Sequence, residues 1–311
     1  MRKITLILVL IFYYVINAQS SSQILINGSP DNPVVSPVFS PDGNKIAYTK
    51  AGYKGIWVFD ISNRSSEQIT EEDAAGFAMK WSNDSKSILS RVAKYENTKR
   101  LNAVKVFDVD ANESIQLTEY RTRMEYLPAW SDGDSKVIIP TKESYETYSS
   151  GKPKLLYKNN NEKNVLLKYD RIITQDISTN EFQNIKPFED AEYINLSLSP
   201  DRTKVLFKVV GGNMYVMNLD GTGLTDLGQG NQPRWSFDSN KIIYIIAEDN
   251  GDDYTASDIY LINANGTNKK NLTNTKDLIE MNPCLSPDGK TIVYDEYKSG
   301  KIYLTKFEEG R

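Results

Sequence analysis

The sequence contains no histidine. That removes the Ser–His and Cys–His nucleophile pairs, a His-ligated zinc and haem attached through C-x-x-C-H. A single cysteine, Cys284, leaves no internal disulfide and no thiolate zinc site. Any chemistry must fall to carboxylates, Lys, Tyr, Ser or a cation held by oxygen atoms. Beyond the first 18 residues there is no apolar run long enough to cross a bilayer, so the chain is not expected to span a membrane. An excess of positive charge is also missing. The formal net charge is −4 over 311 residues, which argues against nucleic acid as a partner. The composition, 39% hydrophobic and 25% charged, is that of a folded globular chain rather than a disordered one.

The first 18 residues read as an address. Arg2 and Lys3 form a basic start, Ile4 through Ile16 an apolar run of thirteen residues, and Asn17-Ala18 precede a polar stretch. Thirteen helical residues rise about 20 Å, short of the roughly 30 Å hydrocarbon core. The pattern predicts a signal peptide over 1–18, cleaved after Ala18, and a periplasmic or secreted protein. Its removal would take the net charge from −4 to −6.

The rest of the chain repeats itself. A Ser-x-Asp turn recurs at Ser40, Ser82, Ser131, Ser199, Ser236 and Ser286, at intervals of 42, 49, 68, 37 and 50 residues. Each turn follows a large apolar residue (Phe39, Trp81, Trp130, Leu198, Trp235, Leu285) and precedes a Lys-led apolar strand such as Lys241-Ile242-Ile243-Tyr244. Pro at the second position presets φ, Asp accepts backbone N–H bonds, and Gly takes the left-handed conformation. A third strand follows in each unit and a fourth in units before the last, as in Gly55–Asp60 and Glu67–Thr70. Four antiparallel strands every 37 to 50 residues, without helices, are the pattern of propeller blades. The expected fold is all-β: a six-bladed β-propeller over 34–311. Its sixth unit stops after three strands, so the N-terminal strand within 19–33 (Gln23–Asn27) is expected to close the last blade.

Pro233-Arg234-Trp235-Ser236-Phe237-Asp238 with Lys241-Ile242-Ile243-Tyr244, and Asn218-Leu219-Asp220-Gly221-Thr222 with Leu224-Thr225, resemble the PD40 (WD40-like) repeat of TolB-like propellers. The resemblance covers roughly 34–307. It implies a six-bladed scaffold of the bacterial envelope that binds partners rather than a particular reaction. WD40 proper needs a Gly-His pair, and no His is present; kelch needs a Gly-Gly per unit, and only Gly211-Gly212 occurs.

In a propeller the loops between strands 2 and 3 and those between blades emerge on one face. The long segments here are of those kinds, so a site is expected there. Three carboxylates precede their anchoring serines by six or seven residues: Glu125 beside Tyr126, Glu192 beside Tyr193, and Glu280. Converging at the channel mouth, they could bind a cation or act as acid and base on a glycosidic bond, with Arg123 and Arg234 steadying an anionic group. The interval 142–169 reads as a long loop, with Lys154 and Tyr157 suited to an acidic glycan. The acidic run Glu248–Asp253 could hold Ca²⁺. The expected function is a monomeric, non-enzymatic binding protein of the cell envelope, its partner an envelope protein or a glycan. The alternative is a glycan-binding or glycan-degrading protein; as an enzyme it would be a His-free carboxylate/Tyr glycosidase or lyase.

Overall fold

The computed structural model describes residues 22–141, 145–156, 163–168 and 170–307; the expected signal peptide and Tyr157 lie outside them. Among the described residues the regular structure is β throughout, apart from a single 3-10 turn, Ala51–Tyr53. Strand β1 (Gln23–Ile26) leads into sheet I, formed by β2 (Val34–Phe39), β3 (Lys45–Lys50), β4 (Lys54–Asp60) and β5 (Ser65–Thr70). Sheet II holds β6 (Lys80–Trp81), β7 (Ser87–Glu96), β8 (Lys99–Asp108) and β9 (Glu113–Gln116). Sheet III holds β10 (Ala129–Ser131), β11 (Lys136–Pro140) and β12 (Tyr145–Ser149); sheet IV holds β13 (Lys163–Lys168), β14 (Arg171–Asp176) and β15 (Phe182–Ile185). Sheet V holds β16 (Tyr193–Leu198), β17 (Lys204–Val209), β18 (Met214–Asn218) and β19 (Thr225–Gly228). Sheet VI holds β20 (Asn231–Trp235), β21 (Lys241–Asp249), β22 (Tyr254–Asn263) and β23 (Lys270–Asn271). In sheet VII, β24 (Glu280–Leu285), β25 (Thr291–Glu296) and β26 (Lys301–Lys306) are joined by β1, in the order β1-β26-β25-β24.

The propeller therefore has seven blades, not the six expected. The long interval between Ser131 and Ser199 is two blades, and 142–169 is not one loop: it contributes β12 to sheet III and β13 to sheet IV. Two departures hid the extra blade. Sheet IV has no Ser-x-Asp turn, and among the described residues sheets III and IV have three strands each. The Ser131 turn is also altered. In the other five turns the Ser hydroxyl donates to the Asp two residues on, as Ser40 Oγ does to Asp42 Oδ1 at 2.6 Å. It also accepts the N–H five residues on, as from Lys45 at 2.9 Å. Ser131 Oγ instead donates to Asn164 Oδ1 of sheet IV at 2.8 Å. A buried polar relay then runs from Asn164 to Gln175, and from Gln175 to the Tyr145 hydroxyl.

The ring closes through seven apolar clusters, one between each pair of neighbouring sheets. Ile56 and Val58 meet Ile88 and Phe107 between sheets I and II, and Val205 and Phe207 meet Ile172 and Ile185 between IV and V. Between VII and I, Ile26 of β1 packs with Val34, Phe39, Ile46, Val293 and Ile302. Burying such side chains contributes about 1.5–3 kcal/mol each. Where the large residue before the turn is tryptophan it adds a polar tie: the indole N–H of Trp81, Trp130 and Trp235 donates to the carbonyls of Val38, Lys80 and Ser197 in the preceding sheet.

The innermost strands share one irregularity. Four residues before the anchoring Ser, the backbone turns left-handed at Ser36, Ala78, Asn195, Gln232 and Asn282, with φ between 51° and 57°. In sheets I, V, VI and VII the ladder slips there by a bulge. Pro37, Pro233 and Pro283 follow it directly; the interrupted ladder asks for no N–H at that point.

Candidate functional site

The face carrying the connections between blades also carries the two longest hairpins, β7–β8 and β21–β22. Backbone bonds knit the two kinds of segment together. Ala93 N–H donates to Asp73 O at 2.7 Å, and Asn102 and Arg121 exchange both bonds, at 2.8 and 2.9 Å. Side chains reinforce the knit. Glu72 accepts from Lys105 Nζ (2.7 Å) and from the Tyr120 hydroxyl (3.0 Å), and Arg121 grips Glu146 with two parallel bonds of 2.8 Å.

The residues expected to form a carboxylate cluster are placed in different surroundings. Glu125, Glu192 and Arg123 are exposed, and Tyr126 is half-buried. Tyr193 belongs to the core: its hydroxyl donates to Phe188 O (3.0 Å) and accepts from Phe188 N–H (3.1 Å), while its ring meets Phe207 edge-on. Glu280 is fully buried, and Thr275 Oγ1 donates to its Oε1 at 2.7 Å. Desolvation pushes its carboxyl up to about 7. Arg234 is half-buried and donates to Pro37 O at 2.9 Å, reaching across β24 to sheet I. Lys154 pairs with Asp132 at 2.6 Å. These residues do not assemble into an acid–base pair around one cleft.

The acidic run at the tip of β21–β22 mainly closes its own turn. Asp249 Oδ1 accepts Gly251 N–H, and Asn250 Oδ1 accepts the N–H groups of Asp252 and Asp253. Among the described residues, no three carboxylates or thiols stand close enough together to hold a metal ion.

Four cations recur at two places of the repeat, on or beside the inner strands. Lys80 and Arg234 occupy the same place in their repeats, two residues before the anchoring Ser; Arg91 and Lys208 share another, nine residues after it. Each hydrogen-bonds to a neutral oxygen: Lys80 Nζ to Pro128 O at 3.3 Å, Arg91 Nη1 to Met124 O at 3.1 Å, Lys208 Nζ to Asn231 Oδ1, and Arg234 to Pro37 O. Lys80 keeps water-accessible surface, yet its ammonium is crowded by protein atoms, and that desolvation lowers its pKa; desolvation lowers Lys208 as well. A fifth ionisable group, Asp295, stands at the Arg91 position of its own repeat. It accepts Ser36 N–H (2.8 Å) and Asn282 Nδ2 (3.0 Å) and is pushed up to about 7 by burial. Of this set, sequence reading singled out Arg234 alone. Aligning the repeats on their serines would have exposed the others, because the equivalent places hold Val38, Ala129 and Cys284, or Thr49, Pro140 and Ile245.

No protein-family model and no curated relative matches this sequence. Solved structures do match. The putative TolB from Agrobacterium tumefaciens is similar over 88% of this chain and 90% of that one, at 15% identity and a TM-score of 0.53. TolB from Acinetobacter baumannii is similar over 92% of this chain and 66% of that one, at 14% identity and a TM-score of 0.51. An oligogalacturonate lyase from Vibrio parahaemolyticus aligns over 88% of this chain and 77% of that one, at 12% identity and a TM-score of 0.47. At such identities the two TolB likenesses show a shared propeller fold. Among the described residues, no helix is long and apolar enough to cross a membrane.

Proposed function

We propose that this chain is an exported, TolB-like propeller built of PD40-like repeats that works in the bacterial cell envelope as a binding protein without catalysis of its own. The observation that carries the reading is the face on which β7–β8 and β21–β22 stand. Its connecting segments are fixed by backbone bonds, a rigid platform for a partner rather than a set of mobile loops. The burial of Glu280 and the use of Tyr193 in the core also favour binding, since they separate the groups an acid–base reaction would need.

The test compares the unaltered protein with one whose hairpin tips, 96–99 and 249–254, are replaced by two-residue turns. Cross-linking in envelope extracts should capture a defined partner with the first and lose it with the second, while changes in the turns of the opposite face leave capture intact. Turnover of an acidic polysaccharide that disappears in Glu125→Gln and Glu192→Gln would overturn the reading in favour of an enzyme.

A further inference from the structure

The buried carboxylates are matched by N–H groups, with one exception. Asp134 accepts the backbone and side-chain N–H groups of Asn83. Asp295 accepts from Ser36 and Asn282 and lies in the field of Arg234. Glu296 accepts the N–H groups of Ile279, Lys298 and Ser299. Glu280 is the exception. Its side chain is fully buried, its Oε1 has the Thr275 hydroxyl at 2.7 Å, and its Oε2 is buried with no hydrogen-bond partner. An unmatched carboxylate oxygen in a low-dielectric interior is costly.

A second acid stands beside it. Asp258 of β22 accepts Thr275 N–H at 2.9 Å and the Thr273 hydroxyl at 3.3 Å, both on Oδ1. Thr275 therefore touches both carboxylates, one through its N–H and the other through its hydroxyl, and the charge of Asp258 is felt at Glu280. The Leu278 carbonyl lies 3.4 Å from the same hydroxyl. Among the described residues no lysine or arginine forms an ion pair with either acid. Asp258, Thr273, Thr275 and Leu278 are half-buried, so the cluster is open to solvent on one side while Glu280 forms its floor. Blade construction does not ask for this pair. Counted along the repeat, the places of Asp258 and Glu280 hold Gly55 and Gly76 between sheets I and II, and Asn213 and Gly230 between V and VI. Two acids at one seam repel each other unless something positive stands between them.

We propose that Asp258 and Glu280, with the Leu278 carbonyl and the hydroxyls of Thr273 and Thr275 beside them, hold a calcium ion that clamps the 271–279 connection between sheets VI and VII. Every donor is an oxygen, the set that Ca²⁺ takes, and waters complete a shell of roughly six to eight ligands. With two carboxylates rather than three or four, the affinity falls in the weak range of about 0.1–1 mM. The ion competes with a proton: desolvation raises the Glu280 carboxyl, and when calcium is chelated the proton neutralises it instead. The site goes beyond the reading of the chain as a binding propeller and does not rest on it.

The test melts the full chain, freed of metal with a chelator, alone and in about 10 mM CaCl₂ or MgCl₂. That concentration is about ten to a hundred times the expected Kd, so calcium should raise Tm by about 3–5 °C. Mg²⁺, which demands a tight octahedron and sheds water reluctantly, should raise it by less than about 1 °C. Calorimetric titration should find one calcium per chain, bound more weakly at pH 6 than at pH 8. Asp258→Asn and Glu280→Gln should each abolish the calcium increment, and Asp110→Asn, an exposed acid paired with Lys45, should keep it. Should Glu280→Gln fail to fold, Asp258→Asn decides alone. No rise with calcium, an equal rise with both ions, or a rise that both variants keep overturns the proposal. A rise lost in Asp252→Asn and kept in Asp258→Asn overturns it in favour of the β21–β22 tip. Partner capture is read separately, so its failure would remove the binding function and leave this site standing.

Discussion

Replacing Ile26 by Ala probes the seam of the ring directly. β1 is the outer strand of sheet VII, pairing Gln23 with Leu304 and Ile24 with Tyr303, yet Ile26 turns inward and is 7% exposed, while Ile24 is 40% exposed. Ile→Ala removes three carbons. At about 0.8 kcal/mol each that is roughly 2.4 kcal/mol, and the cavity left among Val34, Phe39 and Ile302 brings the cost to about 2–4 kcal/mol. For a chain of this size each kcal/mol lowers Tm by roughly 2 °C, so the expected fall is about 4–8 °C. Ile24→Ala should stay within about 0.5 kcal/mol. Urea unfolding followed by tryptophan fluorescence gives both values. Deleting everything before Asn27 should cost more than Ile26→Ala, since it also removes the Ser22 hydroxyl shared by Tyr294 and Thr305. Equal, small effects for Ile26→Ala and Ile24→Ala would refute the idea that the N-terminal strand closes the ring.

Gly28→Ala should destabilise by several kcal/mol, because a Cβ there would lie 2.0 Å from the Gly300 carbonyl, the acceptor of the Val34 N–H that fastens the same seam; a calorimetric scan unmoved by the change would count against that packing. Tyr193→Phe should cost about 1–2 kcal/mol through the two bonds to Phe188 and leave ligand affinity unaltered; weaker binding by a folded variant would return Tyr193 to the site. Glu280 should make stability fall as pH rises. Burial raises it to about 7, so the folded state holds the proton more tightly than the unfolded chain, whose carboxyl titrates near 4.5. The contribution is fully present below about pH 4.5 and is lost by about pH 7, amounting to about 3 kcal/mol. Asp295, also raised to about 7 by burial, gives a slope of the same sign in the same window, so Glu280→Gln should reduce the fall in denaturation midpoint between pH 5 and 7 without abolishing it, and an unaltered slope would contradict the placement.

The propeller class and the strand-by-strand pattern were legible because each Ser-x-Asp turn fixes its own geometry through local bonds. The number of blades was not, because it was counted on that one turn. A second turn repeats as well. Asp60, Asp108, Asp176 and Asp220 each accept the N–H two residues on, in the turn leading into the last strand of the sheet. The copy at Asp176 marks sheet IV, and Asp60-Ile61-Ser62-Asn63 against Asp176-Ile177-Ser178-Thr179 shows the kinship in sequence. What linear reading could not supply was the polar relay from Ser131 through Asn164 to Gln175. It joins residues 33 and 11 positions apart and takes the place of the missing turn. The carboxylate cluster failed for a related reason. Distance from a shared anchor predicts which end of the blade a residue occupies, but not whether its side chain turns inward, as Glu280 does, or outward, as Glu192 does.

A repeat fold separates two kinds of constraint, and the inner wall shows it. Positions alike in the blades that carry the Ser turn are those that make it: the serine and the large side chain whose bulk and, in tryptophan, whose N–H ties one sheet to the last. Positions free to differ are those that neither the turn nor the bulge uses. At the place of Arg91 the blades carry Thr, Arg, Pro, Lys, Ile and Asp, from neutral to both signs of charge. Each copy is accommodated by its own neighbours: Thr49 Oγ1 donates to Gly55 O, Ile245 joins the apolar cluster between sheets VI and VII, and Asp295 accepts from Ser36 N–H and Asn282 Nδ2 beside Arg234 of the adjacent sheet. Each blade therefore answers the residue at this place with contacts of its own, and the seven are not interchangeable there.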